Sequence, residues 1–358
     1  LISAAILSLS LLNSCETKVN IPIVEYPATA KCDTIDTYFG VQVADPYRWL
    51  ENDTSEATIN WVKSQNEVTD TFFSKIPYRQ AMKDRLDELM DYPKETAPWK
   101  KGNRYFYFYN EGLQNQYVLY YKNSLLDDKG IELLNTNKLF SDGSKILSAF
   151  EISGDGKYLA YSISDKGSDW QEIFIKDIES GNNLKDHLKW IKFSDITWNG
   201  NGFYYTRFPN PNNGDPTDDL KAKLCYHKLG TPQSSDEVVY ENNSYSNINI
   251  RAEVFNNRYL IISESIATSG CTLAYKDLSN PNSEIVKIVD TFDYDFYAVD
   301  EVDGKLLVLT NYFAPHWKLI QIYMDNISSA KWLDLLPESD NATLVNISHI
   351  GNKLIANY

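Results

Sequence analysis

The polar and apolar residues of this chain repeat one pattern at a spacing of about 50 residues. Each copy is a tight turn of Gly, Asn or Asp, followed by a short run of aromatic and aliphatic residues, as in Gly154–Ser162. The apolar runs begin at Tyr105, Tyr158, Phe203, Tyr259, Leu306 and Leu354. A period of about 40–50 residues with strand-type content is typical of β-propeller blades, which bury their faces by stacking on their neighbours.

Short strands that alternate with Asn/Asp/Gly turns are predicted from residue 91 onward. In the second repeat, the pattern predicts strands near 147–152, 158–164 and 171–177, with a shorter outer strand before 194. In the third repeat, it predicts strands near 193–198, 202–207, 223–228 and 237–240. The fourth and fifth repeats run over 250–290 and 294–334, and the sixth begins near Leu344.

The sixth repeat would reach only about its second strand at Tyr358. A propeller avoids open sheet edges by closing its ring, and a chain that stops inside a blade leaves an unpaired strand. We therefore expect an incomplete propeller with about five and a half blades. The first residue is Leu1 rather than Met, so we expect the N-terminus to be incomplete as well.

Two amphipathic helices are predicted before the first strand repeat. Asp53, with Glu56 three residues later, resembles a helix N-cap and its reciprocal partner, and Pro77 separates the two helices. The predicted apolar faces consist of Trp61, Val62, Val68, Phe72 and Phe73 in the first helix and of Met82, Leu86, Leu89 and Met90 in the second. These faces need a partner, and no later helix in the chain supplies one.

The N-terminal segment from Leu1 to Leu12 is apolar, has the length of a signal-peptide core and is too short to span a bilayer. The residues that follow, Leu12-Asn13-Ser14-Cys15, resemble a bacterial lipobox, in which the cysteine carries the lipid. The alternative is an ordinary secretion signal that contains a cysteine. Both interpretations predict a location outside the cytoplasm, and the first predicts a periplasmic or outer-membrane lipoprotein that a lipid anchor holds at the membrane.

The predicted organisation is therefore a lipoprotein-type signal peptide and tether at 1–18, an extension with two helices at 19–90, and a truncated β-propeller at 91–358. Aromatic residues make up 13% of the chain and include 25 Tyr, which suits many half-buried strands. The 34 basic and 49 acidic residues give a net charge of −15, which would repel a nucleic acid.

Three cysteines remain besides Cys15, namely Cys32, Cys225 and Cys271. An odd number without a CxxC pair argues against a disulfide framework or a metal site and predicts buried free thiols. The sequence also has no Gly-x-Ser-x-Gly, no His-Glu-x-x-His, no P-loop and no dinucleotide-binding motif, so it predicts no cofactor.

The four histidines, His187, His227, His316 and His349, fall in different repeats and are predicted to be surface or packing residues. Acidic residues are plentiful, and a propeller glycosidase could gather a carboxylate pair at its axis, although no spacing singles out such a pair. The residues alone therefore predict no catalytic machinery.

Several segments, in order along the chain, resemble the prolyl oligopeptidase family. They are Asp45–Glu51, Gln65-Asn66, Asp91–Lys94, Lys100–Asn110, Gly112–Gln116, Val118–Tyr120, Gly167–Trp170 and Lys192–Ser194. The similarity runs from about Tyr26 to the end and is strongest before residue 210. One departure is Phe39, where the family usually has His before the glycine.

This resemblance implies a mainly β structure, a seven-bladed-type propeller that caps an α/β-hydrolase domain absent from this chain. The helices at about 50–90 would pack on that domain, which would also supply the Ser, Asp and His of the catalytic triad. The family cleaves short peptides after proline, and its propeller keeps folded proteins from the active site. By this resemblance the parent protein is a serine endopeptidase, and the chain alone is predicted to be inactive.

The resemblance also implies a small number of propeller residues that reach the substrate. The matching positions are Ile175, Asn249 and Cys271, with Arg251 nearby. Ile175 stands where better-known members have an aromatic residue, and Asn249 stands where they have an apolar one. Two functional alternatives remain open: a non-catalytic propeller lipoprotein that serves as a binding or scaffold module in the envelope, and an oligopeptidase that prefers basic residues.

Overall fold

Strands dominate the computed structural model, which describes residues 24–210, 221–245 and 247–358. The chain divides between Asp91 and Tyr92 into two compact units. Cys15 and the whole predicted signal segment 1–18 lie outside the described residues.

The first unit contains a β-hairpin and two helices. Its elements are β1 (Ile35–Tyr38), β2 (Val41–Ala44), a 3-10 turn at Arg48–Glu51, α1 (Glu56–Ser74) and α2 (Arg79–Met90). The hairpin turns at Phe39 and Gly40, whose φ angles are 51° and 82°. The structure confirms both predicted helices, and Pro77 lies in the link between them.

The start of α1 differs from the sequence prediction. The N-cap is Ser55, and its hydroxyl accepts the backbone N–H of Thr58 at 3.2 Å. Asp53 was predicted as the cap, but it lies two residues further from the helix. The Ser55 and Thr58 hydroxyls also bond each other at 2.9 Å, so Ser55 caps the first turn without Asp53.

In its described residues, the second unit consists mainly of antiparallel strands, with a short helix, α3 (Thr136–Leu139), and 3-10 turns at Gln233–Ser235 and Ser329–Lys331. The strands are β3 (Lys94–Glu95), β4 (Trp99–Lys101), β5 (Arg104–Asn110), β6 (Val118–Lys122), β7 (Ile131–Leu134), β8 (Lys145–Ile152), β9 (Tyr158–Asp165), β10 (Gln171–Asp177), β11 (Asn183–Ile191), β12 (Thr197–Asn199), β13 (Gly202–Arg207), β14 (Lys223–Lys228), β15 (Glu237–Glu241), β16 (Asn249–Phe255), β17 (Tyr259–Ser265), β18 (Leu273–Asp277), β19 (Val286–Val289), β20 (Phe296–Val302), β21 (Lys305–Thr310), β22 (Lys318–Tyr323), β23 (Leu333–Leu336), β24 (Asn346–Ile350) and β25 (Lys353–Asn357).

These strands form successive meanders, in which each strand pairs with the next along the chain. The first meander is β3–β7, in which β3 and β4 both pair with β5, and the others are β8–β11, β12–β15, β16–β19 and β20–β23. The hairpin β24–β25 follows. The second and third meanders join at one residue pair, Ile191 with Arg207. The mainly β-fold is confirmed, while the seven-bladed count stays a prediction.

Two strand predictions need correction. The first strand of the third meander was predicted near 193–198, but β12 begins at Thr197. Phe193 has a φ of 48°, and the hydroxyl of Ser194 accepts the backbone N–H of Thr206 at 2.8 Å, so these residues form a turn instead. The outer strand of the second meander, β11, was predicted to be short but spans nine residues.

The repeated turn has a simple backbone explanation. It lies before the second strand of each meander, where the chain adopts positive φ, as at Gly156 (73°), Gly200 (58°) and Gly304 (76°). The fourth repeat has no glycine there, and Asn256 and Asn257 both adopt a φ of 53°. Asparagine is among the few residues that tolerate this conformation, so both turn chemistries give the same hairpin.

The apolar core lies between consecutive meanders and not within any one of them. Phe106 and Leu119 of the first meander pack with Leu159 of the second, and Ile173 of the second packs with Phe203 of the third. The same alternation continues between the later meanders and as far as the final hairpin. Each sheet therefore depends on its neighbours for burial, as the repeat pattern predicts.

Candidate functional site

A cavity of 1070 Å³ lies where the first strands of several meanders come together. Its wall includes residues of β8, β12, β16 and β20, together with Lys101 at the end of β4 and parts of β17, β18 and the neighbouring turns. Because alternate residues of a strand point to opposite faces, these strands send one set of side chains into the cavity and the other into the cores between meanders.

Charged side chains line this cavity, and most of them are paired. Lys101 Nζ lies 2.8 Å from Glu151 Oε1, and Arg251 Nε lies 3.9 Å from Asp195 Oδ2. Glu253 stands on β16 two residues after Arg251 and is open to the cavity, with protein on most sides of it. Loss of surrounding water, and then the negative charges of Asp195 and Glu151, raise the pKa of Glu253 to about 7.

Of the four predicted substrate-contacting residues, Arg251 lines the cavity and its side chain is 64% exposed. Asn249 is half-buried at the start of the same strand, two residues away. Cys271 is buried on the adjacent loop. Its thiol donates to the Phe296 carbonyl oxygen at 3.3 Å and accepts the Phe296 N–H at 3.1 Å. Burial raises the pKa of this thiol, so it remains protonated at neutral pH.

Ile175 lies elsewhere. It belongs to β10, it has no exposed surface, and it packs in the core between the second and third meanders. The structure therefore brings Asn249 and Arg251 together, with Cys271 in the same meander, and separates Ile175 from them. The predicted contact of these residues with a substrate stays a prediction.

The sequence prediction missed Tyr297, which lines the cavity from β20 and is 50% exposed. Its ring stacks on Trp317 with a centroid distance of 5.6 Å and an interplanar angle of 8°. Burial and then the charge of Asp295 raise the pKa of its phenol, and the nearby Arg251 opposes this shift without cancelling it. Strand alternation in the fifth repeat was the available signal, because Tyr297 follows the core residue Phe296.

In the described part of the chain, none of the remaining thiols and histidines lines the cavity. Cys225 is buried, as predicted, and burial raises its pKa to about 11, whereas Cys32 is only half-buried. His187 pairs with Glu172 at 2.7 Å, and His349 pairs with Asp300 at 2.5 Å. Within residues 24–210, 221–245 and 247–358, no group of three or more His, Cys, Asp or Glu is arranged to hold a metal ion.

None of the helices in the described part of the chain is long and apolar enough to cross a membrane.

The stacked antiparallel meanders around a cavity define a β-propeller. A profile of the family described as prolyl oligopeptidase, N-terminal beta-propeller domain, matches residues 27–358. The chain belongs to this family.

Similar proteins support this assignment. The chain is 36% identical to the prolyl endopeptidase of Elizabethkingia meningoseptica over 91% of its own length, and 34% identical to prolyl oligopeptidase A of Amanita bisporigera over 89%. The solved structure of Galerina marginata prolyl oligopeptidase B bound to a 25mer macrocyclization substrate has a TM-score of 0.80 and 28% identity over 93% of this chain. The chain covers 46%, 47% and 51% of these proteins, respectively, and so spans about half their length.

Proposed function

We propose that this chain is the propeller part of a serine peptidase of the prolyl oligopeptidase type, and that it controls the access of short proline-containing peptides to an α/β-hydrolase domain. The observation that carries the proposal is the 1070 Å³ cavity in a propeller of this family, with Arg251, Glu253 and Tyr297 in its wall. A cavity of this size accepts a few residues of extended peptide and excludes a folded domain.

An exposed apolar face on α2 of the first unit indicates a further partner. In α2 no residue is buried, and Met82, Leu86 and Leu89 are 56%, 57% and 51% exposed. Apolar side chains at this spacing form one stripe on a helix, which is typical of a surface that packs on another element. In the proposal, the hydrolase domain covers this stripe.

The first prediction compares the chain with the full-length protein on a chromogenic peptide whose leaving group follows proline. We expect turnover by the full-length protein and none by the chain, because the sequence has no Gly-x-Ser-x-Gly nucleophile turn. The same peptide sequence inside a folded protein should remain uncleaved. Turnover by the chain would contradict the prediction that the chain alone is inactive. A full-length protein that is inert toward proline and basic reporters alike would contradict the peptidase proposal and favour the scaffold alternative.

Two matched variants of the full-length protein test the role of the cavity. Ser148→Trp places a large ring in the cavity from an exposed position of β8, and Ser180→Trp places the same ring on an exposed turn outside it. Only Ser148→Trp should lower kcat/KM for the peptide, since it narrows the passage without touching the core. Equal rates for both variants would show that peptides do not use this cavity.

We also propose that Cys15 carries a lipid and holds the protein in the bacterial envelope. The motif Leu12-Asn13-Ser14-Cys15 after an apolar segment supports this proposal. We expect the expressed precursor to incorporate labelled palmitate and to fractionate with membranes, and Cys15→Ala to abolish both. Cys32→Ala is the matched control and should change neither. A wild-type protein that is secreted without label would instead indicate an ordinary signal peptide.

A further inference from the structure

A buried charged cluster joins two meanders away from the cavity. Its centre is His227 on β14 of the third meander, which has no exposed surface. Its Nδ1 lies 2.8 Å from Asp236 Oδ1, just before β15, and its Nε2 lies 3.1 Å from Asp186 Oδ1 on β11 of the second meander. The side chains of the two aspartates are 0% and 4% exposed, respectively, so water does not screen the cluster.

The two contacts require a particular protonation state of the ring. A neutral imidazole has one N–H and can donate to one carboxylate only. The lone pair of its other nitrogen would then point at a lone pair of the second carboxylate, which is repulsive. The imidazolium donates to both. Burial alone lowers the pKa of His227, but the hydrogen bonds and charges of Asp236 and Asp186 outweigh burial and raise it above the ordinary 6.5.

The remaining groups around the ring hold the aspartates in place. The backbone N–H of Gly230 donates to Asp186 Oδ1 at 2.6 Å, and the Tyr205 hydroxyl on β13 donates to Asp236 Oδ2 at 2.7 Å. The Phe203 ring lies 5.4 Å from the imidazole, and Cys225 of β14 contributes a buried thiol near Asp236. Among the described residues, the two aspartates are the charges that act on His227.

The position of this cluster gives it a mechanical role. Elsewhere the second and third meanders are joined by their shared apolar core and by backbone bonds, at Ile191–Arg207 and from the Phe208 N–H to the Trp190 carbonyl at 2.8 Å. The Trp198 indole also joins them, since it donates to the Glu151 carbonyl at 3.0 Å. Between β11 and β14, by contrast, the Asp186–His227 contact connects the sheets through side chains alone. Gln233 reinforces the same edge through two bonds to the Lys189 backbone, at 3.1 and 2.9 Å.

We propose that His227, Asp186 and Asp236 form a proton-controlled latch that fastens the outer edge of the second meander to the third and releases it when the ring loses its proton. The direction of the pH effect follows from the thermodynamic linkage between protonation of His227 and opening of the latch. The stabilising contribution is complete below pH 6.5, where the ring is protonated in the open and the closed state, and it is lost as the pH rises through the raised pKa of the closed state. In that window, the equilibrium constant for opening rises by up to about tenfold for each pH unit.

Hydrogen exchange of the whole chain between about pH 6 and pH 9 tests the latch, after correction for the intrinsic exchange rate. We expect residues 183–191 and 223–241 to lose protection with rising pH, while residues 250–262 remain protected. His227→Gln should lower protection at the latch about tenfold or more near pH 6 and remove its pH dependence, because a neutral side chain replaces a charge-assisted bond. His187→Gln is the matched control. His187 lies on β11 next to Asp186 but pairs with the exposed Glu172, so this variant should behave as the wild type.

A second measurement serves if His227→Gln does not fold. The imidazole resonances of the wild-type protein should show that His227 is still protonated above pH 6.5, the ordinary pKa of a histidine. The proposal would be overturned by a neutral His227 at pH 6.5 or by protection of residues 183–191 and 223–241 that does not change with pH in the wild type. A uniform loss of protection in all meanders would also overturn it.

Discussion

Gly270→Ala is expected to destabilise the propeller by about 2–5 kcal/mol, well above the cost of an ordinary glycine replacement. Gly270 has a φ of 82°, and a Cβ built on it would lie 1.8 Å from the Phe292 carbonyl oxygen. A left-handed backbone costs a non-glycine residue about 1–2 kcal/mol, and displacement of the neighbouring chain adds about 1–3 kcal/mol. The Gly270 N–H also donates to Asp295 at 2.7 Å, so a shift would strain this bond.

Gly304→Ala is the matched control. Its φ of 76° is nearly the same, but an added Cβ would meet no atom within 4 Å. We expect only the conformational cost of about 1–2 kcal/mol. Urea unfolding of both variants, followed by circular dichroism, measures the difference, and equal m-values would show that the two variants expose the same surface on unfolding. The effect of Gly→Ala on the unfolded chain is common to both variants and cancels in the comparison. Equal losses of stability in the two variants would contradict the close approach of Gly270 to Phe292.

The loop that contains Gly270 also carries Cys271, one of the predicted substrate residues. Gly270 belongs to the fourth meander and Phe292 precedes the fifth, so their contact lies where the two sheets meet. Cys271, the next residue, bonds the Phe296 backbone through its thiol. The loop that presents Cys271 is therefore held by its neighbour meander, and substitutions there will change stability as well as any contact with substrate.

The repeat and most of its strands could be predicted because their signals are local. In each repeated turn a Gly, Asn or Asp residue adopts positive φ, and the apolar run after the turn forms a strand, as at Gly156 and Gly304. The start of β12 could not be predicted in this way, because a positive φ at Phe193 is unusual for an aromatic residue. The hydrogen bond of Ser194 to Thr206, on another strand, also contributes to that turn.

The cavity and the latch depend on contacts between residues far apart in sequence. Asp186 and His227 are 41 positions apart, and nothing local marks either residue as a partner of the other. Strand alternation indicates which residues share a face, but it does not tell which face meets the cavity and which meets a core. For this reason Tyr297 was missed, and Ile175 was selected although it lies on a buried face. Arg251 lines the cavity, and its contact with a substrate stays a prediction.

Ile175→Ala is expected to lower the stability of the propeller by about 2–5 kcal/mol, since it removes buried methyl groups and leaves a cavity. The side chain has no exposed surface and packs between β10 and the third meander, in a core that includes Phe203 and Tyr205. Ile175→Val keeps the branched shape and should cost only about 0.5–1.5 kcal/mol. Both values are measured by urea unfolding of the chain.

The same two variants separate packing from substrate binding in the full-length protein. If Ile175 acts only through the core, then below the unfolding transition kcat/KM for the proline reporter should stay at the wild-type value in Ile175→Val, and the loss in Ile175→Ala should follow the fraction unfolded. The opposite outcome is a rise in KM for the reporter in a variant that is fully folded and whose unfolding free energy equals that of the wild type. Such a rise would place Ile175 against the peptide. That result would require β10 to expose a face that is closed in this structure, because an isoleucine with no accessible surface cannot contact a ligand.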